Sequence, residues 1–105
     1  MAVLEITKEN FQKEVMESQK PVLLDFWASW CMPCRMVAPT VEAVSEERPG
    51  WKVGKINVDD QPELATSFQV MSIPTLVLIK DGKIQQQMVG AQPKAALLAQ
   101  MDQIG

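Results

Sequence analysis

Residues 21–28, Pro-Val-Leu-Leu-Asp-Phe-Trp-Ala, form a nearly unbroken apolar run in which Asp25 is the only charge. A strand with one face in water alternates polar and apolar side chains, so this run predicts a central strand covered on both faces. Covering both faces needs packed layers on either side of a sheet, and the flanking segments supply them. A short strand is expected around Val3 to Ile6, after which Thr7 can cap a helix that puts Phe11 and Val15 one turn apart on one face. From Pro33 the spacing turns helical, with Cys34, Val37, Val41 and Val44 on one side, a kink expected at Pro39 and an end near Pro49-Gly50. A strand over Trp51 to Val58 comes next. It leads into a short helix in which Asp60 and Glu63 have capping-box spacing and Leu64 and Phe68 share a face. Thr75 to Ile79 and Lys83 to Val89 read as a hairpin closed by Asp81-Gly82, and Pro93 suits the first turn of a last helix carrying Leu97, Leu98 and Met101.

This order predicts an α/β fold with a central mixed sheet of about five strands flanked by about four helices, parallel in its first part and antiparallel in its last two strands. Right-handed crossovers then place whatever follows residue 28 at the carboxyl edge of the central strand, where open α/β sheets carry their sites. With 105 residues the chain is expected to form one domain over 1–105, and 47% apolar against 22% charged residues suits a folded one. A net charge of -3 and the lack of any Lys or Arg run argue against a nucleic-acid partner. No apolar stretch approaches the roughly 20 residues needed to span a bilayer, which argues against a membrane role. The start, Met1-Ala2-Val3-Leu4-Glu5, has no basic segment leading into a hydrophobic one, so a cytoplasmic address is expected. Nothing in the sequence asks for an obligate oligomer, and a monomer is expected.

The segment at that sheet edge is Trp30-Cys31-Met32-Pro33-Cys34, which holds the only two cysteines of the chain. A structural zinc site needs four N or S donors, and a chain with two cysteines and no histidine cannot supply them. An iron–sulfur cluster would need thiolates from a second chain. Two thiols three positions apart at a helix start can form and break a disulfide. In a reducing compartment a transient catalytic disulfide is expected rather than a static one.

Phe26-Trp27-Ala28-Ser29-Trp30-Cys31-Met32-Pro33-Cys34, the upstream Asp25, Ile73-Pro74-Thr75 and Val89-Gly90-Ala91 occur in an order and at separations that resemble the thioredoxin family over essentially the whole chain. The resemblance implies the thioredoxin fold and a protein-disulfide reductase, an electron carrier that needs no cofactor beyond a redox-active Cys31–Cys34 disulfide. It also implies two kinds of partner: client proteins that contain disulfides, and a thioredoxin reductase or equivalent electron donor.

The residues support that chemistry on their own terms. Cys31 lies just ahead of a helix, whose free N–H groups and positive dipole end favour a thiolate, while Cys34 lies a turn deeper. Cys31 is thus expected to attack a client disulfide and Cys34 to resolve the mixed disulfide. The proton lost by Cys34 needs an acceptor, and Asp25, raised in pKa by burial, is the candidate. Lys55, which the resemblance places on the adjoining strand, would modulate Asp25 by pairing with it. The resemblance further implies a cis Ile73–Pro74 bond that presents the Ile73 backbone to an extended client segment. Trp30, Met32, Pro33, Met71, Ile73, Val89, Gly90 and Ala91 would form the rim that receives it, whereas Trp27 is expected to support the site from the core. Met32 departs from the family, which usually has glycine there, and is expected to shift the redox potential modestly without abolishing activity. Two other readings stay open: a thiol oxidase or isomerase of the same fold, and a scaffold module in which the thiols are incidental.

Overall fold

The computed structural model describes residues 2–105. Five strands, β1 (Val3–Glu5), β2 (Val22–Trp27), β3 (Lys52–Asn57), β4 (Thr75–Lys80) and β5 (Lys83–Val89), form one sheet in the order β1-β3-β2-β4-β5. β3 pairs in parallel with β1 and β2, and β4 runs antiparallel to both β2 and β5. The expected mixed sheet is present, with the apolar run at its centre. Three α-helices, α1 (Met32–Glu47), α2 (Pro62–Ser67) and α3 (Lys94–Ile104), and a π-helical segment over Gln12–Met16 cover it.

Successive side chains of a strand point to opposite faces, and both faces of β2 are buried. Val22, Leu24 and Phe26 join one core layer with Ile56, Val77 and Ile79, closed by Leu64, Phe68 and Val15. Leu23 belongs to the other layer with Val53, Leu76 and Leu78, closed by Val37, Val41 and Val44 of α1 and Leu97 and Met101 of α3. Asp25 alternates with Leu24 and Phe26, so it shares the α1 side of the sheet with Leu23. α1 and α3 are further joined at the surface by two ion pairs: Arg48 grips Asp102 through two contacts of 2.8 and 2.9 Å, and Lys94 reaches Glu47 at 2.6 Å.

Two local expectations need correction. The first helix is not an α-helix over Phe11 and Val15 but a π-helical segment, closed by the Glu17 N–H donating to the Gln12 carbonyl at 3.0 Å. Thr7 does open that turn, because its carbonyl accepts the Phe11 N–H at 2.9 Å. The side-chain cap is supplied by Asn10, whose Oδ1 accepts the Thr7 N–H at 2.7 Å. Asp60 does not cap α2: the helix starts after Gln61 with Pro62 in its first turn, and the Asp60 N–H donates instead to Asn57 Oδ1 at 3.3 Å. Pro39 lies on the exposed side of α1, which runs as one helix from Met32 to Glu47. The hairpin forms as read. Asp81 and Gly82 both take positive φ, 54° and 74°, the pair of values a two-residue primed turn requires.

Candidate functional site

β2 ends at Trp27, and the chain turns through Ala28-Ser29-Trp30 to start α1 at the carboxyl edge of the sheet. Cys31 is the N-cap of α1, with an extended backbone (φ -92°, ψ 109°), and its Sγ accepts the Cys34 N–H at 3.2 Å. A sulfur takes the capping position that Ser or Asp occupies in most helices, and it lies where the helix dipole is positive. Cys31 and Cys34 are joined as a disulfide, with their Cα atoms 5.3 Å apart. In this form exposure does not separate the two cysteines, since they are 4% and 3% exposed. Both pack with Ala28 under Trp27, Val58 and Ile73. What separates them is the surroundings of each sulfur.

On the Cys34 side lies a cavity of about 130 Å3 lined by Asp25, Trp27, Cys34, Arg35, Ala38 and Lys55. Parallel pairing of β2 with β3 sets Asp25 directly beside Lys55. Asp25 is 4% exposed, and its Oδ1 has no hydrogen-bond partner among the described residues. Burial pushes its pKa from 3.8 up to about 7, and the nearby Lys55 charge offsets only part of that rise. The Lys55 ammonium also lies over the Trp27 ring, 5.3 Å from its centre, which ties Trp27 into the same cluster.

On the Cys31 side, Sγ approaches the Ile73 carbonyl oxygen at 3.9 Å. The Ile73–Pro74 peptide is cis, as the resemblance implied, and Pro74 is buried. Gly90 donates its N–H to the Pro74 carbonyl at 2.8 Å, so the loop that carries Val89, Gly90 and Ala91 lies next to the proline. An open apolar groove of about 390 Å3 runs alongside, lined by Trp30, Met71 and Ile73 together with Val58, Ala65, Val70 and Ser72. Among the rim residues, Trp30 is 67% exposed, Met32 65%, Met71 93% and Val89 64%, so they offer apolar surface to a partner. Pro33 and Ala91 are exposed as well, while Ile73 and Gly90 are half-buried. The structure therefore gathers Asp25, Lys55 and Cys34 around one cavity, and Cys31, Ile73, Pro74, Trp30, Met71 and Gly90 on the opposite side of the disulfide. Met32 and Pro33 stand in the first turn of α1.

Sequence reasoning missed several contributors. Asp59 accepts the Trp30 Nε1–H at 2.8 Å and so fixes the orientation of an otherwise exposed ring. Asn57 holds that acid in place, its Oδ1 accepting the Asp59 N–H at 2.9 Å. The signal was an Asx turn in Asn57-Val58-Asp59-Asp60, at the end of a strand parallel to β2 and hence at the same edge. Arg35 and Ala38 complete the Asp25 cavity from the first turns of α1, and no spacing rule had singled them out. Among the described residues no group of three or more His, Cys, Asp or Glu could hold a metal ion, and no helix is long and apolar enough to cross a membrane.

A family model described as Thioredoxin matches residues 2–103. The chain is 49% identical over 104 residues to a thioredoxin of Mycobacterium tuberculosis, covering 98% of this chain and 90% of that one. To a thioredoxin of Streptomyces clavuligerus it is 47% identical over 93 residues, covering 89% and 87%. It is also similar to a bifunctional thioredoxin reductase/thioredoxin of Mycobacterium leprae, at 48% identity over 102 residues that span 96% of this chain and 22% of that protein.

Proposed function

The chain belongs to the thioredoxin family, and on that premise we propose that Cys31 is its attacking thiolate, Cys34 its resolving thiol and Asp25 the group that takes the proton of Cys34. Thioredoxins are disulfide oxidoreductases that use no cofactor beyond their own active-site disulfide. The activity of this chain is accordingly reduction of protein disulfides by dithiol–disulfide exchange through Cys31 and Cys34, with the electrons carried to client proteins. The observation that carries the assignment of roles is the asymmetry around the disulfide. The Cys31 sulfur accepts an N–H at a helix start, and Cys34 borders the cavity of a buried carboxylate.

In the reduced protein, the Cys34 N–H and the α1 dipole stabilise the Cys31 thiolate. That thiolate attacks one sulfur of a client disulfide. The client S–S bond breaks, a mixed disulfide to Cys31 forms, and the other client sulfur leaves as a thiolate. Cys34 then gives its proton to Asp25, directly or through a water, for which the cavity beside it has room. The new Cys34 thiolate attacks Cys31 Sγ, releases the second client sulfur and leaves the Cys31–Cys34 disulfide. A carboxyl with a pKa of about 7 can accept this proton near neutrality and return it when the protein is reduced again. Lys55 modulates Asp25 by favouring its ionised form.

The rim of Trp30, Met32, Pro33, Met71, Ile73, Val89, Gly90 and Ala91 receives an extended client segment, with the Ile73 backbone beside Cys31 as the edge available for strand-like pairing. A thioredoxin reductase or equivalent donor closes the cycle. The Mycobacterium leprae relative, named for both activities in one chain, supports that pairing. A cysteine pair that works by being repeatedly reduced suits the cytoplasm, where thiols are kept reduced. Turnover of a protein disulfide with dithiothreitol as electron donor tests the reading. The protein should accelerate the reduction catalytically and Cys31→Ser should fall to the rate of dithiothreitol alone; undiminished activity in Cys31→Ser rules the mechanism out.

A further inference from the structure

Methionine thioethers stand at the surface on two sides of the cysteine pair. Met32 directly follows Cys31 and is 65% exposed, and Met36, 75% exposed, lies one turn further along the same face of α1. Met71, 93% exposed, lies two residues before Ile73, whose carbonyl lies 3.9 Å from the Cys31 sulfur. Two other methionines are sheltered: Met101 is fully buried in the core and Met88 is half-buried. Met16, 40% exposed, sits beside Gly82 in the β4–β5 turn, at the opposite end of β4 from Pro74. When Cys31 and Cys34 are joined as a disulfide the chain has no free thiol. Among the described residues, the accessible sulfur nucleophiles of the oxidised protein are then the exposed thioethers.

We propose that Met32 and Met71 form an oxidation site through which peroxides weaken the docking of apolar client segments, an inference that rests on the rim being the client-docking surface. In the step itself, with hydrogen peroxide as the oxidant, the O–O bond breaks and one oxygen bonds to the thioether sulfur. The sulfur loses two electrons, and the other oxygen leaves with both protons as water. The product sulfoxide is polar, and methionine sulfoxide reductases can reverse it. The cysteine couple is untouched, so the modification acts on client choice rather than on the dithiol chemistry.

The test treats the disulfide form with hydrogen peroxide, removes the oxidant and maps sulfoxides by peptide mass spectrometry. The protein is then reduced and assayed with a protein disulfide and with a small aromatic disulfide. Sulfoxide should appear at Met71, Met36 and Met32 before Met88 and Met101. KM for the protein substrate should rise roughly fivefold or more with the small-disulfide rate unchanged, and methionine sulfoxide reductases should restore it. Sulfoxide confined to Met16 should leave KM where it was. Untreated Met32→Gln/Met71→Gln separates the two levels of the argument. If its KM for the protein substrate is not raised, the docking reading itself fails. If its KM is raised but peroxide leaves the KM of the natural protein unmoved, or oxidises Met101 ahead of Met32 and Met71, the oxidation proposal alone is overturned.

Discussion

Asp25 is held in a place that opposes its charge, and that opposition is measurable as a function of pH. Its pKa is 3.8 in an unstructured setting and about 7 in the fold. Below about pH 4 the folded and unfolded chains both hold the proton, and there is no penalty. Between about 4 and 7 the unfolded chain has released a proton that the folded chain still binds, so stability falls as pH rises. Above about 7 the full penalty applies, on the order of 4 kcal/mol. Asp25→Asn should therefore raise stability by that order at pH 8 and little at pH 4, as read by urea unfolding at the two pH values. The same substitution should slow the resolving step by about 10²-fold while sparing the first attack, and should remove the rise in resolving rate as pH passes 7; equal slowing of both steps contradicts the role given to Asp25. Met32→Gly should make the Cys31–Cys34 couple less reducing by about 10–20 mV in equilibration with glutathione, because glycine gives the open dithiol form more freedom to lose on closing. Asp25 was legible in the sequence because a lone charge in an apolar strand needs an explanation. Asp59 was not, since an exposed acid after a strand looks like any other until the Trp30 indole is seen donating to it.

At the level of elements, strict alternation along β2 and β3 sorts the site from the core. Asp25 and Lys55 are register partners facing α1, whereas the Leu24–Gly54 pair points to the opposite layer. Gly54 has no room for more than hydrogen there: a Cβ would lie 2.6 Å from Ile6 Cγ1 and 3.2 Å from its Cδ1, on a side chain that is fully buried. Gly54→Ala should thus destabilise the sheet by about 1–3 kcal/mol, read as a lower urea midpoint. The long periodic elements, β2, α1 and the β4–β5 hairpin, could be read from the sequence because burial and turn chemistry agreed there. The two short helical segments could not, because single side chains decide them. Asn10 caps the turn that Thr7 opens, and Asn57 takes the Asp60 N–H that a capping box would have used.

Across the molecule, the site is assembled by topology. β2 and β3 run in parallel and so end at the same edge, while β4 begins at that edge because it runs the other way. One sheet edge therefore brings together Cys31, Asp59, Pro74 and Gly90, which are far apart in the chain. The alternation of elements was enough to place the cysteines at this edge. It could not reveal how the segments around residues 59, 73 and 90 meet there, and the family resemblance supplied the part of that arrangement the pattern lacked. The division of labour proposed across the disulfide rests on the same assembly, with the Ile73 carbonyl beside the Cys31 sulfur on one side and a carboxylate cavity beside Cys34 on the other. The most direct measurement is trapping. Cys34→Ser and Cys31→Ser are each reduced, mixed with a protein disulfide and analysed by mass spectrometry for mixed disulfides. Cys34→Ser should accumulate a long-lived adduct at Cys31 and Cys31→Ser should form little; an adduct at Cys34 that forms as fast and persists as long would contradict the assignment.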